Sequence, residues 1–315
     1  MNRPLEYLLL AILAFLTAPA LASAPPLVDA QWLKDDQGQS DLVVLDIQSP
    51  KDYQRFHIPG AVNAPYDRWR TQPPKQDSKT ARTDASELTS MLPPIEQLET
   101  MVGDLGVGND DHVVIVATGR GSGDLAASAR VFWTLKVIGH EQVSVLDGGL
   151  VAYADAGAPL ARGIETRPTT DYQANFQSAL VPDAQAVRAA LAAKTSLVDA
   201  RGEGEFVGVY TSGDAERPGT IPGSRHLPHD WVSDSGSGTL RSPGALKALF
   251  EARGIATDGE QVHFCHSGHR AALTWFAAYA VLGNEEAVLY DGSMMEWARD
   301  DSLPISAKIE LCDAC

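Results

Sequence analysis

The chain is poor in cysteine, with three among 315 residues. That is too few for a disulfide framework and too few for a zinc site of four thiolates. Basic residues are also scarce. Lysine and arginine total 25 against 41 aspartates and glutamates, a net charge of −16. A general nucleic-acid binder needs a basic face, so that class is excluded. A small anionic substrate is not, because an acidic protein can hold a local cationic pocket. Beyond the amino terminus no apolar run approaches the ~20 residues of a spanning helix. What is present is ordinary for a folded protein: 44% hydrophobic and 21% charged residues. A mainly disordered chain is thereby excluded, and the length suits two domains.

Residues 1–22 have the form of a secretory signal. Arg3 supplies a basic start, Leu8 to Leu16 is unbroken apolar sequence, and Ala20-Leu21-Ala22 precedes Ser23 as a small-x-small cleavage site. Pro19 and the shortness of the run argue against a membrane anchor. The expectation is a mature protein that is periplasmic or secreted, without stable membrane insertion, in an oxidising compartment.

The remainder is written twice. Leu42-Val43-Val44-Leu45 ends in Asp46, and Ser196-Leu197-Val198 ends in Asp199. His57-Ile58-Pro59-Gly60-Ala61 follows the first and Thr220-Ile221-Pro222-Gly223-Ser224 the second. Each half then repeats an apolar strand, a glycine-bearing loop and a helical stretch, and closes on Asp147-Gly148-Gly149 or Asp291-Gly292-Ser293. The copies lie roughly 150 residues apart, longer than any solenoid repeat. Short valine- and leucine-rich strands alternating with helices predict an α/β fold: two tandem domains, each a parallel sheet flanked by helices. The boundaries read as 27–160 and 181–308, joined by a linker over 161–180 and followed by a tail over 309–315. Thr71 to Pro94 reads as a long polar loop inside the first domain.

One loop carries the chemistry. Cys265 follows the run Val262-His263-Phe264 and opens Cys265-His266-Ser267-Gly268-His269-Arg270, after which a helix begins. In parallel sheets ligands bind beyond the carboxyl ends of strands. A cysteine there faces loop amides and the positive end of a helix, which favour the nucleophilic thiolate. His266, His269 and Arg270 are candidate cationic neighbours, and Gly268 allows the tight turn. The histidines also admit a metal reading, but a tight strand-to-helix loop turns its amides inward, and no metal is expected. The loop of the first copy, Ala117 to Asp124, has no cysteine. The first domain therefore reads as chemically silent, covering the second and shaping a cleft.

These motifs resemble the tandem-domain rhodaneses, sulfurtransferases acting on thiosulfate or 3-mercaptopyruvate. Tyr53 to Ala61 is similar to the amino-terminal signature of that family, Tyr290 to Trp297 to its carboxyl-terminal signature, and Cys265-x-x-Gly268-x-Arg270 to its active loop. The departures are Ala64 for a larger aliphatic and Met294 for an aromatic. The resemblance implies two rhodanese-like domains with only the second catalytic. Cys265 would take a sulfane sulfur as a persulfide and pass it to cyanide or a thiol, protein thiols included, with no cofactor. It implies that Arg201 binds the anionic donor, with an ion pair to Glu205 as the structural alternative, and that His57, replaced by Thr220 in the second copy, is structural. His266-Ser267-Gly268-His269 matches neither the thiosulfate nor the mercaptopyruvate pattern of the loop; thiosulfate is slightly favoured. Phosphatases of related fold have one residue more between cysteine and arginine. A persulfide carrier that turns over only with a partner protein is the alternative function. Cys312 and Cys315 have the spacing of a redox pair, either a passive tail disulfide or an acceptor of sulfur from Cys265.

Overall fold

A computed structural model describes residues 24–72, 88–213, 217–234, 237–309 and 311. The first domain is built on β1 (Leu27–Val28), β2 (Leu42–Asp46), β3 (Val62–Asn63), β4 (His112–Val116) and β5 (Val143–Leu146). All pairings are parallel, in the order β1-β5-β4-β2-β3. Helices α1 (Ala30–Asp36), α2 (Pro50–Arg55), α3 (Ile95–Asp104), α4 (Ser122–Val137) and α5 (Gly149–Asp155) cover its faces. Every residue of β2 is buried, which is why its sequence is an apolar run and not an alternation.

The second domain repeats the plan. After α6 (Ala184–Ala193) come β6 (Ser196–Asp199), α7 (Glu203–Val207), β7 (Arg225–His226), α8 (Pro243–Ala252), β8 (Gln261–Phe264), α9 (His269–Phe276), β9 (Ala287–Leu289) and α10 (Ser293–Trp297). Its parallel order β7-β6-β8-β9 matches β3-β2-β4-β5, and no counterpart of β1 occurs among the described residues. Register fixes the correspondence. Asp46 pairs with Val116 and Asp199 with Phe264, so Ala117 stands where Cys265 does. The His57–Ala161 bridge of the first copy recurs as Thr220–Ser306.

The two copies share one core. Most of α4 is buried, because its own sheet lies on one side and α9 on the other, and apolar residues accordingly spread round it, with Arg130 and Thr134 buried among them. Phe132 meets Phe276 edge-on at 4.9 Å and Trp275 at 6.2 Å. The contact is reciprocal. The Leu240 amide donates to Asp147 at 2.8 Å, and the Leu92 amide donates to Asp291 at 2.6 Å. Each closing aspartate is thus held by the other domain.

The linker read over 161–180 is strapped along the first domain. Tyr172 is buried, and the amides of Thr170, Asn175 and Gln177 donate to Gly103, Ile138 and Val137 carbonyls. The long loop expected over Thr71 to Pro94 falls largely in 73–87, outside the described residues; its flanks pair through Thr71 and Met91. The segment 1–23, with its apolar run, also lies outside. No helix among the described residues is long and apolar enough to cross a membrane.

Candidate active site

Cys265 follows β8 at the domain junction and is 1% exposed. Its side chain belongs to the shared core built around α4 and α9.

The loop is tied down from behind by Ser293. The Ser293 hydroxyl accepts from the amides of Cys265 (3.1 Å) and Gly268 (3.2 Å) and donates to the Tyr290 carbonyl at 2.8 Å. Ser293 adopts φ +48, a left-handed conformation that disfavours a side chain. Its counterpart is Gly149, at φ +58. The chain accepts strain at this position for the sake of the hydroxyl. The carbonyls of Cys265 and His266 accept from Met294 and Met295, fixing the loop on the start of α10. Gly268 has φ +74, and a Cβ there would collide with Arg130 Nη1 and Asp291 Oδ1.

Three side chains of the first domain reach this loop or the closing aspartate beside it. The Tyr66 hydroxyl and His269 Nδ1 are hydrogen-bonded at 2.6 Å. Arg70 donates to Ser267 Oγ at 3.1 Å. Arg130, fully buried in α4, lies 2.6 Å from Asp291 and stacks on Trp133 at 4.4 Å. The close approach of Arg130 to Asp291 lacks hydrogen-bond geometry, so charge joins the pair more than a directed bond. These residues are 197 or more positions from their partners in two cases, and no local pattern announces them.

Arg270 extends from α9 to Glu205 and donates twice, from Nη1 at 2.5 Å and from Nη2 at 2.9 Å. Burial alone would raise the Glu205 carboxyl. Hydrogen bonds from Arg270 and Ser212, with the charges of Arg270 and Arg201, outweigh it and hold the group at about 2. His269 was a candidate cation, but burial, then the charges of Arg70, His229, Arg130 and Arg270, push it down to about 3. It is a neutral imidazole at physiological pH, which corrects that expectation.

Arg201, to which the resemblance gives the donor, is held at the end of β6. It is 3% exposed, and its guanidinium is engaged by Asp199 (2.7 Å) and the Gly219 carbonyl (2.7 Å). Its partner is Asp199 where Glu205 was the structural alternative. In the first copy Gln48 makes the same amide and side-chain bonds to Asp46, both at 2.9 Å. The same bonds at Gln48 in the first domain make Arg201 a brace for the strand end, with Nη1 taking no part in them. His57 is fully buried in the first domain, its Nδ1 at 2.8 Å from the Tyr53 carbonyl. Cys312 and Cys315 lie outside the described residues. Among the described residues no three His, Cys, Asp or Glu side chains gather as a metal site.

A rhodanese-like domain model matches residues 29–156 and 183–300. A putative thiosulfate sulfurtransferase of Mycobacterium bovis is 29% identical over 92% of this chain and 99% of its own length. Thiosulfate/3-mercaptopyruvate sulfurtransferase 2 of Arabidopsis thaliana is 30% identical, covering 90% of this chain and 87% of itself. The crystal structure of SseA from Escherichia coli, described as a 3-mercaptopyruvate sulfotransferase, superposes with a TM-score of 0.72 at 28% identity. That match covers 86% of this chain and 99% of SseA. Matched in both halves and over nearly the whole length of such relatives, the chain belongs to the rhodanese family of sulfurtransferases.

Proposed function

We propose that the protein is an exported sulfurtransferase that moves a sulfane sulfur from an anionic donor, through a Cys265 persulfide, to cyanide or a thiol. The carrying observation is the contrast between equivalent positions: Cys265 in one loop, Ala117 in the other. With thiosulfate, the Cys265 thiolate attacks the outer sulfur, the S–S bond breaks, and its electron pair leaves with sulfite. The acceptor then attacks the outer persulfide sulfur, and the electron pair of that bond returns to Cys265. The Arg270 charge, which interacts with Cys265, supports the reading, because an anionic sulfur needs nearby positive charge. The decisive assay is steady-state turnover with thiosulfate or 3-mercaptopyruvate and cyanide. Repeated thiocyanate release supports the reading; absence of any sulfur transfer overturns it.

The burial of Cys265 favours a second reading, a carrier that opens only for a partner protein. In the same assay a carrier loads one sulfur per chain and releases none to cyanide.

Export rests on Arg3, the Leu8 to Leu16 run and the Ala20-Leu21-Ala22 site. The expected result is a periplasmic or secreted chain whose mass corresponds to a start at Ser23; a full-length cytoplasmic chain would contradict it.

A further inference from the structure

Tyr66 and His269 form a buried pair that sulfur transfer from thiosulfate does not use. Sulfite leaves as a stable anion and needs no proton. A donor whose sulfur is bound to carbon is different. When the thiolate takes sulfur from a β-mercapto α-keto acid, the C–S bond breaks and its electron pair remains on carbon as an enolate. Completing the reaction requires an acid.

Resting on the sulfurtransferase reading, we propose that His269 is that acid and that Tyr66, from the non-catalytic domain, refills it. The Tyr66 hydroxyl and His269 Nδ1 share a hydrogen bond of 2.6 Å. In the relay the Tyr66 hydroxyl is the donor, so the imidazole proton sits on Nε2, which makes no bond to a described residue. The rings are tilted by 60° with centroids 5.4 Å apart, and His269 is the first residue of α9, four positions after Cys265. As Nε2 gives its proton to the enolate carbon, Nδ1 takes the Tyr66 proton. The imidazole ends neutral in its other tautomer, and Tyr66 ends as phenolate. Arg70 lies over the Tyr66 ring at 5.5 Å and offsets that charge; Arg130 contributes in the same sense. Burial raises the Tyr66 phenol above its ordinary value, yet a carbon-based enolate is a much stronger base. Water then reprotonates Tyr66. The balance is Cys–S⁻ plus the mercapto acid plus one proton, giving Cys–S–SH and the desulfurated keto acid.

The alternative role is a clamp that only holds the loop to the first domain. Two donors separate the roles, because a clamp serves both equally. Tyr66→Phe removes the proton and keeps the ring. His269→Gln keeps an N–H donor and cannot relay. With 3-mercaptopyruvate, each variant is expected to lose about 10²-fold in single-turnover pyruvate release, the scale of a general acid. With thiosulfate, where only the hold on the loop is lost, the fall in sulfite release is expected to be at least about tenfold smaller. The wild-type solvent isotope effect is expected with 3-mercaptopyruvate and not with thiosulfate. Equal losses with both donors, or no loss with either, overturn the relay. So does a wild type that turns over thiosulfate alone. A wild type inactive with both donors overturns the sulfurtransferase reading itself. Circular dichroism and thermal melts confirm folding, and either variant suffices if the other does not fold.

Discussion

The two strand-to-helix loops share a backbone plan and differ in chemistry. Ala117 and Cys265 follow equivalent strands, and their carbonyls accept equivalent amides from Leu150 and Met294. Behind the first loop is Gly149, relaxed in the left-handed region; behind the second is Ser293, strained there, with a hydroxyl that gathers two amides. The same scaffold thus occurs twice, and the second loop has a thiol, a tie from behind and contacts from the other domain. The first domain has no cysteine in its loop and contributes Tyr66, Arg70 and Arg130.

The largest test of this contrast exchanges the nucleophile. Cys265→Ser is expected to lower turnover by about 10³-fold or more while the fold stays intact by near-UV circular dichroism. Adding Ala117→Cys to that variant should restore nothing, because the first loop has Gly149 in place of the Ser293 tie. Substantial rescue would show that position alone makes a cysteine catalytic.

Breaking the interdomain charge pair comes next. Arg130→Met leaves Asp291 buried beside no cation and should cost about 3–5 kcal/mol in urea denaturation. Arg130→Met with Asp291→Leu should recover part of that loss. An equal loss in the double variant would mean that packing, and not charge, joins the domains there.

Acid should loosen the second domain through Glu205. Its carboxyl is held at about 2 against an ordinary 4.5. Depression means that the unfolded chain binds the proton more readily, so the stabilisation is full above about pH 4.5. It is lost as pH falls toward about 2. The shift corresponds to about 3 kcal/mol. Glu205→Gln should be less stable at neutral pH and show a shallower decline over that window in stability measured against pH.

Two smaller effects follow from comparing equivalent residues. Ser293→Ala orphans two amides and retains a Cβ at positive φ, with an expected loss of about 2 kcal/mol. Ser293→Gly, the residue of the first copy, should lose about 1 kcal/mol less. Arg201→Gln copies the Asp46–Gln48 arrangement and should shift the donor KM by less than about threefold. A large rise in KM with kcat unchanged would instead give Arg201 the donor role.

Much of this was legible in sequence because it is local. The repeated strands, their closing aspartates and the Cys265 loop lie in short contiguous stretches whose valine-rich runs and glycine turns dictate the backbone. Tyr66, Arg70 and Arg130 were not legible, since only the packing of α4 on α9 brings them to the loop. Two signals were available through the repeat itself. Aligning Asp46-Ile47-Gln48 with Asp199-Ala200-Arg201 shows Arg201 in a bracing position, and aligning Gly149 with Ser293 shows a side chain placed where backbone geometry prefers none. The neutrality of His269 was beyond reading, because it arises from burial among arginines contributed by both domains.

The most direct test of the account is to find where the sulfur rests. Protein exposed to thiosulfate without acceptor is digested under non-reducing conditions, with thiols alkylated, and its peptides are weighed. The account predicts one added sulfur atom on the peptide containing Cys265, removed by cyanide and absent from Cys265→Ser. Sulfur retained by Cys265→Ser, or found only on the peptide containing Cys312 and Cys315, would contradict it.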